Sequence, residues 1–318
     1  MSSAAPLVTI GIPTFNRAGS HLRGCVESAL GQTYPHLDIF VADNHSSDGT
    51  AALVRTYEDP RLRYDRHPCN IGANANANFC LQEARGEWFL LLHDDDLIDP
   101  DFVEACLAAA RGNETAGVIR TGTRVIAEDG AVLTETPNLV GGWPIDEFIL
   151  GYFRGQTAFH CCSTLFRTAA LRDAGGLHSK HNLVDDGVAI LRMAARHGRV
   201  DVAGVKASFR QHAGKLGRTM RIADWCDDSL FLLNLMEELA GPRAAVVRRE
   251  GLPYFARANY RRALRSDSWT RRLSGQVMVW RAFGGRYLPP FISERLVARG
   301  ARRLVGSLSS LSRRRLPT

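Results

Sequence analysis

The stretch EWFLLLHDDDLIDP, residues 87–100, joins an unbroken apolar run to three consecutive aspartates. A short apolar run of this kind predicts a buried β-strand, and the helical pattern of residues 100–112 follows it directly. Three neighbouring carboxylates repel one another, so a cation is expected beside them unless they lie in water. The stretch therefore predicts a buried strand that ends in an acidic turn.

The same order of strand and helix recurs along the first 110 residues. Strands are predicted at 7–13, 37–43, 61–67 and 87–93, and helices at 21–32, 46–59, 72–86 and 100–112. This alternation predicts an α/β fold, a Rossmann-like three-layer α/β/α arrangement around a mostly parallel sheet. In such sheets, ligands bind at the carboxyl ends of the strands.

Polar side chains collect where these strands end. They are Pro13, Thr14, Asn16 and Arg17 after the first strand, Asp43 after the second, Arg66 after the third and Asp94, Asp95 and Asp96 after the fourth. A purely structural sheet has no need of two acidic clusters at one edge. We therefore expect this edge to bind a ligand.

The chain is expected to divide into three parts. Residues 1–115 carry the regular alternation, and residues 116–222 contain a strand pair at 117–133, a helix at 183–198 and a strand or strand pair at 199–212. An amphipathic helix at 223–241 opens a helical, basic C-terminal extension, residues 223–318.

Charge is distributed unevenly along the chain. The net charge is +7, yet residues 241–318 contain 18 arginines against three acidic residues, so the rest of the chain is acidic. Two interpretations of this basic segment stay open. It forms a solvated helical face, or it is attracted to an anionic surface of phospholipid or nucleic acid.

The compartment is expected to be the cytoplasm. Seven cysteines occur without a CxxC pair, which is typical of reduced thiols. The N-terminus lacks the basic segment and apolar run of a signal peptide, and no apolar stretch approaches the roughly 20 residues that span a bilayer. Peripheral contact with the inner face of the membrane through residues 241–318 is the one membrane association left open.

The acidic turn suits a hard divalent cation. Mg²⁺ takes oxygen ligands and is usually held by one or two carboxylates together with substrate phosphates. The alternative is that the carboxylates cap the following helix, a role that Asp99 suits better because the triplet lies too early in the sequence. The turn therefore predicts a Mn²⁺ or Mg²⁺ site.

The order of motifs over these residues resembles the family-2 glycosyltransferases of the GT-A fold. VTIGIPTFNR (8–17) resembles the family's opening strand and turn, and residues 27–50 and 70–100 follow its later motifs with matching spacing. The aspartate triplet is similar to the family's DxD motif. The resemblance implies an inverting enzyme that uses a divalent metal to move a sugar from a UDP- or dTDP-sugar to the hydroxyl of a glycan, lipid-linked carrier or natural product.

The resemblance also implies roles for single residues. Residues 1–115 would bind the nucleotide sugar and residues 116–222 the acceptor. The implied nucleotide-binding residues are Pro13, Thr14, Asn16, Arg17, Asp43, Arg66, Asn70, Asp94 and Asp95, with Asp43 accepting from the N–H of a pyrimidine base. For Asp43, an Asx-turn with Ser46 and Ser47 is the alternative. Asp96 is the implied direct metal ligand, supported by Asp94.

Two later segments also match the family. DDGVAILR (185–192) resembles its acidic segment, in which the second acid is the catalytic base; this implies Asp186 as the base, with Asp185 beside it, and N-terminal helix capping as the alternative. SFRQHAGKLGRT (208–219) resembles a basic segment that implies His212 in the metal shell and Lys215 and Arg218 near the diphosphate.

Three alternative functions make different predictions for the sequence. A sugar-nucleotide pyrophosphorylase would carry a G-x-G-x-R loop after the first strand, where this chain has GIPTFNRAGS. A nucleic-acid-binding protein would use the aromatics among the C-terminal arginines, and an inactive relative would only bind nucleotide. We expect no nucleic acid partner, and homo-oligomerisation is left open.

Overall fold

The computed structural model describes residues 5–113, 115–212, 220–266, 268–287 and 289. Within these ranges the strands are β1 (Val8–Thr14), β2 (Leu37–Asp43), β3 (Leu62–Arg66), β4 (Trp88–Leu91), β5 (Leu97–Ile98), β6 (Val118–Ile126), β7 (Val132–Thr136), β8 (Thr164–Arg167) and β9 (Arg199–Arg210). The helices are α1 (Leu22–Leu30), α2 (Thr50–Val54), α3 (Ala73–Glu83), α4 (Phe102–Ala109), α5 (Ile145–Phe153), α6 (Thr168–Asp173), α7 (Asp185–His197), α8 (Ile222–Ala240), α9 (Ala244–Ala263) and α10 (Trp269–Ala282).

The strands form one sheet in the order β3-β2-β1-β4-β8-β6-β9-β5, with β7 attached to β6. Strands β1 to β4 run parallel, which confirms the predicted α/β fold in the first half of the chain. In the second half, β8 is antiparallel to both β4 and β6, whereas β6 and β9 are parallel. The chain reverses its direction of winding at β1, so the ends of β1 and β4 flank the crevice where α/β sheets bind ligands.

Strand β5 was not predicted, although it shapes the site. It consists of two residues, which is too short for a sequence pattern to reveal. Leu97 pairs with Ser208 and Ile98 with Ala207 of β9. This pairing brings the end of β9 against the acidic turn that precedes β5.

Hydrophobic side chains cover both faces of the sheet. Val8, Ile10 and Ile12 of β1 are fully buried against α1 and α4 on one face. On the other face, Gly11 lets α3 approach closely, because a Cβ there would lie 2.7 Å from the Cβ of Cys80. Because successive residues of β1 face opposite sides of the sheet, β1 packs against helices on both faces, as the predicted α/β/α arrangement requires.

The C-terminal helices pack onto the second half of the chain. Buried residues of α9, among them Phe255 and Tyr260, share one hydrophobic cluster with Val188 of α7. The amide of Asn259 on α9 donates to the hydroxyl of Ser229 on α8 over 2.9 Å. Aromatic residues that the nucleic-acid interpretation placed on a binding face are thus partly core. Among the described residues, no helix is long and apolar enough to cross a membrane.

Asp38 anchors β2 to its neighbours. It accepts hydrogen bonds from Arg63 on β3, at 2.6 and 2.9 Å, and from the Thr9 hydroxyl on β1, at 2.9 Å. Burial opposes ionisation, but the hydrogen bonds from Arg63 and Thr9 outweigh it and hold the pKa of Asp38 below its usual value. A lowered carboxylate pKa stabilises the fold above the unfolded-state pKa, and this contribution is lost as the pH falls.

We expect Asp38→Asn to lower the free energy of unfolding at neutral pH by about 2 kcal/mol, because it weakens charge-assisted hydrogen bonds to Arg63. Urea unfolding measures the loss. Asp59→Asn, at the more exposed pair with Arg61, is the control and should cost less than about 1 kcal/mol. The difference between wild type and Asp38→Asn should shrink on acidification; a difference that grows in acid would contradict this role.

Candidate active site

The acidic turn lies at the end of β4, as the sequence predicts. Its backbone is closed by a hydrogen bond from the Asp96 N–H to the His93 carbonyl, 2.9 Å long. Arg210 at the end of β9 holds the turn from the other side. Its N–H donates to Asp96 Oδ1 and its Nε to the Asp95 carbonyl, both over 2.9 Å. The short strand β5 is what places Arg210 there.

His212 also reaches the turn. Its Nε2 lies 2.8 Å from Asp95 Oδ2, and both side chains are nearly buried. The ring of His21 lies 5.1 Å from that of His212. The structure thus places His212, predicted to lie in the metal shell, against the acidic turn through its contact with Asp95. Lys215 and Arg218 lie outside the described residues.

Asp94 faces the end of β1. Its Oδ1 lies 3.6 Å from the Nε of Arg17. Burial and the charge of Asp95 raise the pKa of Asp94 to about 6, although Arg17 opposes the rise. Two carboxylates in a buried turn resist joint ionisation, which is the electrostatic condition that a bound divalent cation relieves.

The side chains of the turn fit a hard cation. Carboxylate oxygens are the preferred ligands of Mg²⁺ and Mn²⁺. In the ranges that the structure describes, no three Asp, Glu, His or Cys side chains form a complete metal cage. A cation at Asp96 and Asp94 would therefore share its coordination with substrate oxygens, the usual arrangement for Mg²⁺.

Asp43 is fully buried at the end of β2. Its Oδ1 accepts from the Ser46 N–H over 2.8 Å, and its Oδ2 accepts from the Tyr64 hydroxyl over 2.6 Å. Arg66 lies 4.0 Å from Oδ2. The turn to Ser46, which the sequence left open as an alternative, is present, and a contact from Asp43 to a base remains a prediction.

The loop after β1 interlocks with the loop after β2. Asn16 adopts a positive φ of 53°, its N–H donates to the Ser46 hydroxyl over 2.8 Å, and its side-chain oxygen accepts from the Ser47 N–H over 2.8 Å. Arg66 donates to the Ser46 carbonyl over 2.9 Å. The left-handed backbone at Asn16, a residue type that tolerates it, bends the chain toward β2.

The remaining predicted nucleotide-binding residues border the same edge. Pro13 and Thr14 close β1 beside Ala42 and Asp43 of β2. Asn70 Oδ1 accepts a hydrogen bond of 2.9 Å from the side chain of Asn44. The structure thus collects the predicted residues along neighbouring strand ends.

Asp185 and Asp186 open helix α7. Asp185 Oδ2 accepts a hydrogen bond of 2.8 Å from Asn74 of α3. Burial raises the pKa of Asp185, against the opposing effects of the His93 charge and the Asn74 hydrogen bond. Asp186 Oδ1 accepts from the Gly187 N–H over 2.8 Å, a contact that also suits helix capping.

His93 borders the acidic turn. Its Nδ1 lies 3.8 Å from Asp96 Oδ2. From the sequence alone, His93 is predicted only to be a polar end of the strand. Its place directly before three aspartates is the signal that it belongs to the turn.

The helical spacing of three asparagines on α3 predicts that Asn74 and Asn78 share one face and that Asn76 points elsewhere, to the surface. Asn74 and Asn78 share one face, as predicted, and both donate to the Leu177 carbonyl. Asn76 was expected on the surface, and this was wrong: it is buried and donates to the Ala42 carbonyl over 2.8 Å. An asparagine in this helix satisfies a backbone carbonyl of β2, next to the edge predicted to bind the nucleotide.

The loop before α7 is held by a residue that the sequence did not single out. Asp228 of α8 is fully buried and accepts from the Ser179 hydroxyl and from the backbone N–H groups of His181 and Leu183, over 2.7 to 2.9 Å. Asn182 between them has a positive φ of 56°. Helix α8 therefore fixes the loop that leads into Asp185.

Comparison with protein families agrees with this geometry. The model of the family described as glycosyl transferase family 2 matches residues 9–172, from β1 through nearly all of α6. The chain belongs to glycosyl transferase family 2. The match contains the acidic turn but ends before Asp185, Asp186 and His212, whose roles therefore stay predictions.

Single relatives agree with the family. Chondroitin synthase from Escherichia coli is 32% identical over 142 residues, which cover 44% of this chain and 20% of the synthase. The chain therefore spans about a fifth of the length of that relative.

Solved structures resemble this fold. S. aureus TarS 1-349 in complex with UDP-GlcNAc aligns over 87% of this chain and 89% of its own, with a TM-score of 0.59 and 14% identity. The mannosyltransferase PcManGT from Pyrobaculum calidifontis, in complex with GDP-Man and Mn²⁺, aligns over 95% of this chain and 81% of its own, with a TM-score of 0.56 and 19% identity. These likenesses confirm the predicted GT-A type of fold.

Proposed function

We propose that this family member is an inverting glycosyltransferase that moves a sugar from a UDP- or dTDP-sugar to a hydroxyl acceptor. The observation that carries the proposal is a pair of acidic groups, the turn at Asp94 to Asp96, which Arg210 holds, and the start of α7 at Asp185, which Asn74 of α3 holds. The acidic turn suits the diphosphate side of the reaction, and the carboxylates at the start of α7 suit the acceptor side. The complexes of TarS with UDP-GlcNAc and of PcManGT with GDP-Man support a nucleotide-sugar donor.

On the donor side, Asp96 and Asp94 would hold Mn²⁺ or Mg²⁺ beside the diphosphate. When bound, such an ion neutralises negative charge that grows on a departing diphosphate. Arg210 fixes the orientation of Asp96 through its backbone N–H, and Arg17 adds positive charge beside Asp94. The turn is thereby preorganised to hold a cation that would in turn bind the diphosphate.

On the acceptor side, Asp186 takes the proton of the attacking hydroxyl. The acceptor oxygen forms a bond to the anomeric carbon as the bond from that carbon to the diphosphate oxygen breaks. Asp186 lies in the first turn of α7, where the helix dipole stabilises a negative charge, so the position suits a carboxylate base. A single displacement of this kind inverts the anomeric centre and requires no covalent intermediate.

An assay with a panel of UDP-, dTDP- and GDP-sugars in Mn²⁺ tests the proposal. We expect hydrolysis or transfer with at least one UDP- or dTDP-sugar, and loss of turnover when EDTA removes the metal. Tight nucleotide binding without any turnover would favour the inactive relative. Absence of nucleotide binding would refute the proposal.

Asp228 provides a test of the acceptor side. We expect Asp228→Ala to lower kcat for transfer by about tenfold or more, because three lost hydrogen bonds release the loop that positions Asp186. Nucleotide affinity should be unchanged, since the proposed nucleotide-binding residues lie at the ends of β1 to β4 and not in this loop. Glu238→Ala, at an exposed position of the same helix, is the control. A matched loss of kcat in both variants would argue against a specific role for Asp228.

We also propose that α10 contacts an anionic membrane surface from the cytoplasmic side. Trp269, Leu273, Val277 and Trp280 lie on one face of α10 and are 74%, 58%, 41% and 44% exposed. The exposed Arg272 and Arg281 border this apolar stripe. Amphipathic basic helices of this type bind anionic headgroups without inserting through the bilayer.

Co-sedimentation with phosphatidylglycerol vesicles tests the membrane proposal. We expect binding that phosphatidylcholine vesicles do not support and that the double variant Trp269→Ser, Leu273→Ser abolishes. Leu133→Ser, at an exposed leucine of β7, is the control and should bind as the wild type does. Equal sedimentation of the double variant and wild type would remove the proposal.

A further inference from the structure

Aromatic side chains gather near the start of α7. Tyr152 of α5 stacks on Phe159 with ring centroids 4.4 Å apart and an interplanar angle of 10°. The ring of Tyr254 on α9 lies 5.2 Å from that of Tyr152. Burial raises the pKa of Tyr152, and the neighbouring Tyr254 and Asp186 add to the rise. A Cβ on Gly187 would lie 3.7 Å from Cδ2 of Phe159, so the aromatic group borders the residue that follows Asp186, the proposed base.

Arg262 of α9 extends this group toward α8. Its guanidinium carbon lies 3.8 Å from the ring centroid of Trp225, and its side chain donates to Asn259 over 3.0 Å. Burial lowers the pKa of Arg262, while nearby Tyr152 and Tyr254 oppose the change. Arg262 is thus a half-buried cation stacked on a half-buried tryptophan.

Arg262 differs in its surroundings from two other partly buried arginines, Arg63 and Arg124. Arg63 and Arg124 each have a carboxylate at 2.6 Å. In the portions of the chain that the structure describes, no carboxylate lies within ion-pair distance of Arg262. A desolvated guanidinium that lacks a protein carboxylate is a favourable partner for an anionic ligand, which it binds through a planar pair of N–H groups.

We propose that Arg262 and Trp225 form an acceptor subsite for a sugar that carries an anionic group, which presents its hydroxyl to Asp186. This inference rests on the proposed glycosyltransferase function. The guanidinium pairs with a carboxylate or a phosphate on the acceptor, and the exposed part of the Trp225 ring packs against the apolar face of the sugar. Both residues lie beyond the family match at 9–172, so the subsite belongs to the C-terminal helices of this chain.

Ligand-observed NMR titration tests the subsite in the full-length protein. The nucleotide site is first saturated with Mn²⁺ and whichever of UDP, dTDP and GDP binds best. The probes are methyl β-glucuronide for the carboxylate, glucose 6-phosphate for the phosphate and methyl β-glucoside as the neutral sugar. We expect one anionic probe to bind at least about tenfold more tightly than the neutral sugar, the order of one charge-assisted hydrogen bond.

Variants of α9 locate the effect. Arg262→Gln should reduce binding of the anionic probe to the level of the neutral sugar, Arg262→Lys should retain part of the preference, and Arg257→Gln, at an exposed arginine of the same helix, should retain all of it. Nucleotide affinity serves as the check on folding. If Arg262→Gln fails that check, the Arg262→Lys and Trp225→Phe variants decide, and both should weaken the anionic probe.

Two results would overturn the subsite. One is equal binding of charged and neutral probes, or no binding of any probe, by protein that still binds nucleotide. The other is an anion preference that the folded Arg262 and Trp225 variants keep in full. Failure of the protein to bind any nucleotide would instead count against the proposed glycosyltransferase function, so the two failures are distinguishable.

Discussion

Asp186→Asn should lower kcat for sugar transfer by about 10²- to 10⁴-fold, the range that a general base contributes. The amide keeps the size of the side chain and its hydrogen bond to the start of α7, but it does not accept the proton of the acceptor hydroxyl. Affinity for the nucleoside diphosphate should be unchanged, because the proposed donor residues lie at the ends of β1 to β4. Steady-state kinetics and nucleotide titration together separate the two effects.

Asp129→Asn is the matched control for this variant. Asp129 is an exposed acid in the turn between β6 and β7, and its amide variant should transfer sugar at the wild-type rate. If Asp186 serves only as a helix cap, Asp186→Asn should alter thermal stability while kcat stays within a few-fold of wild type. That outcome would remove Asp186 as the base and leave the donor side of the account intact.

Asp96→Asn should abolish the dependence of nucleotide binding on Mn²⁺ and reduce kcat/KM by at least about 10²-fold, since metal stabilisation of a transition state amounts to several kcal/mol. Asp96 is fully buried, and its Oδ1 accepts the Arg210 N–H, so the variant retains much of the packing. Isothermal titration with UDP or dTDP, with and without Mn²⁺, measures the change.

Asp65→Asn, an exposed acid on β3, is the control for Asp96 and should keep the metal dependence of binding. Residual metal-free binding should be similar in wild type and in Asp96→Asn, because Asp43, Arg66 and Asn70 are proposed to hold the nucleoside rather than the diphosphate. If Asp96→Asn binds nucleotide as the wild type does in Mn²⁺, another group holds the ion.

Local patterns predicted much of the fold. The apolar runs that form β1, β2 and β4 are read correctly because buried parallel strands are continuous in hydrophobicity. Strand β5 and helices α5 and α6 escaped prediction. Leu97 and Ile98 form a strand only because β9 lies beside them, and this pairing joins residues more than a hundred positions apart.

The candidate site also contains residues that the sequence predicts and residues that only the structure reveals. The acidic turn and the polar strand ends follow from the rule that ligands bind where parallel strands end. Roles that depend on contacts between distant segments were not visible in the sequence: Asp228 reaches back to a loop some 45 residues earlier, and Arg262 meets Trp225 across two helices. The helices α8 and α9, expected to be an extension, therefore supply the positioning of α7 and the inferred acceptor subsite.

The most direct test is an anomalous difference map from crystals soaked with MnCl₂ and UDP or dTDP, collected at the manganese absorption edge. We expect one strong manganese peak at coordination distance from the carboxylates of Asp94 to Asp96, shared with oxygens of the diphosphate. A bound diphosphate with no manganese peak at this turn, or with manganese held elsewhere, would contradict the proposed metal site.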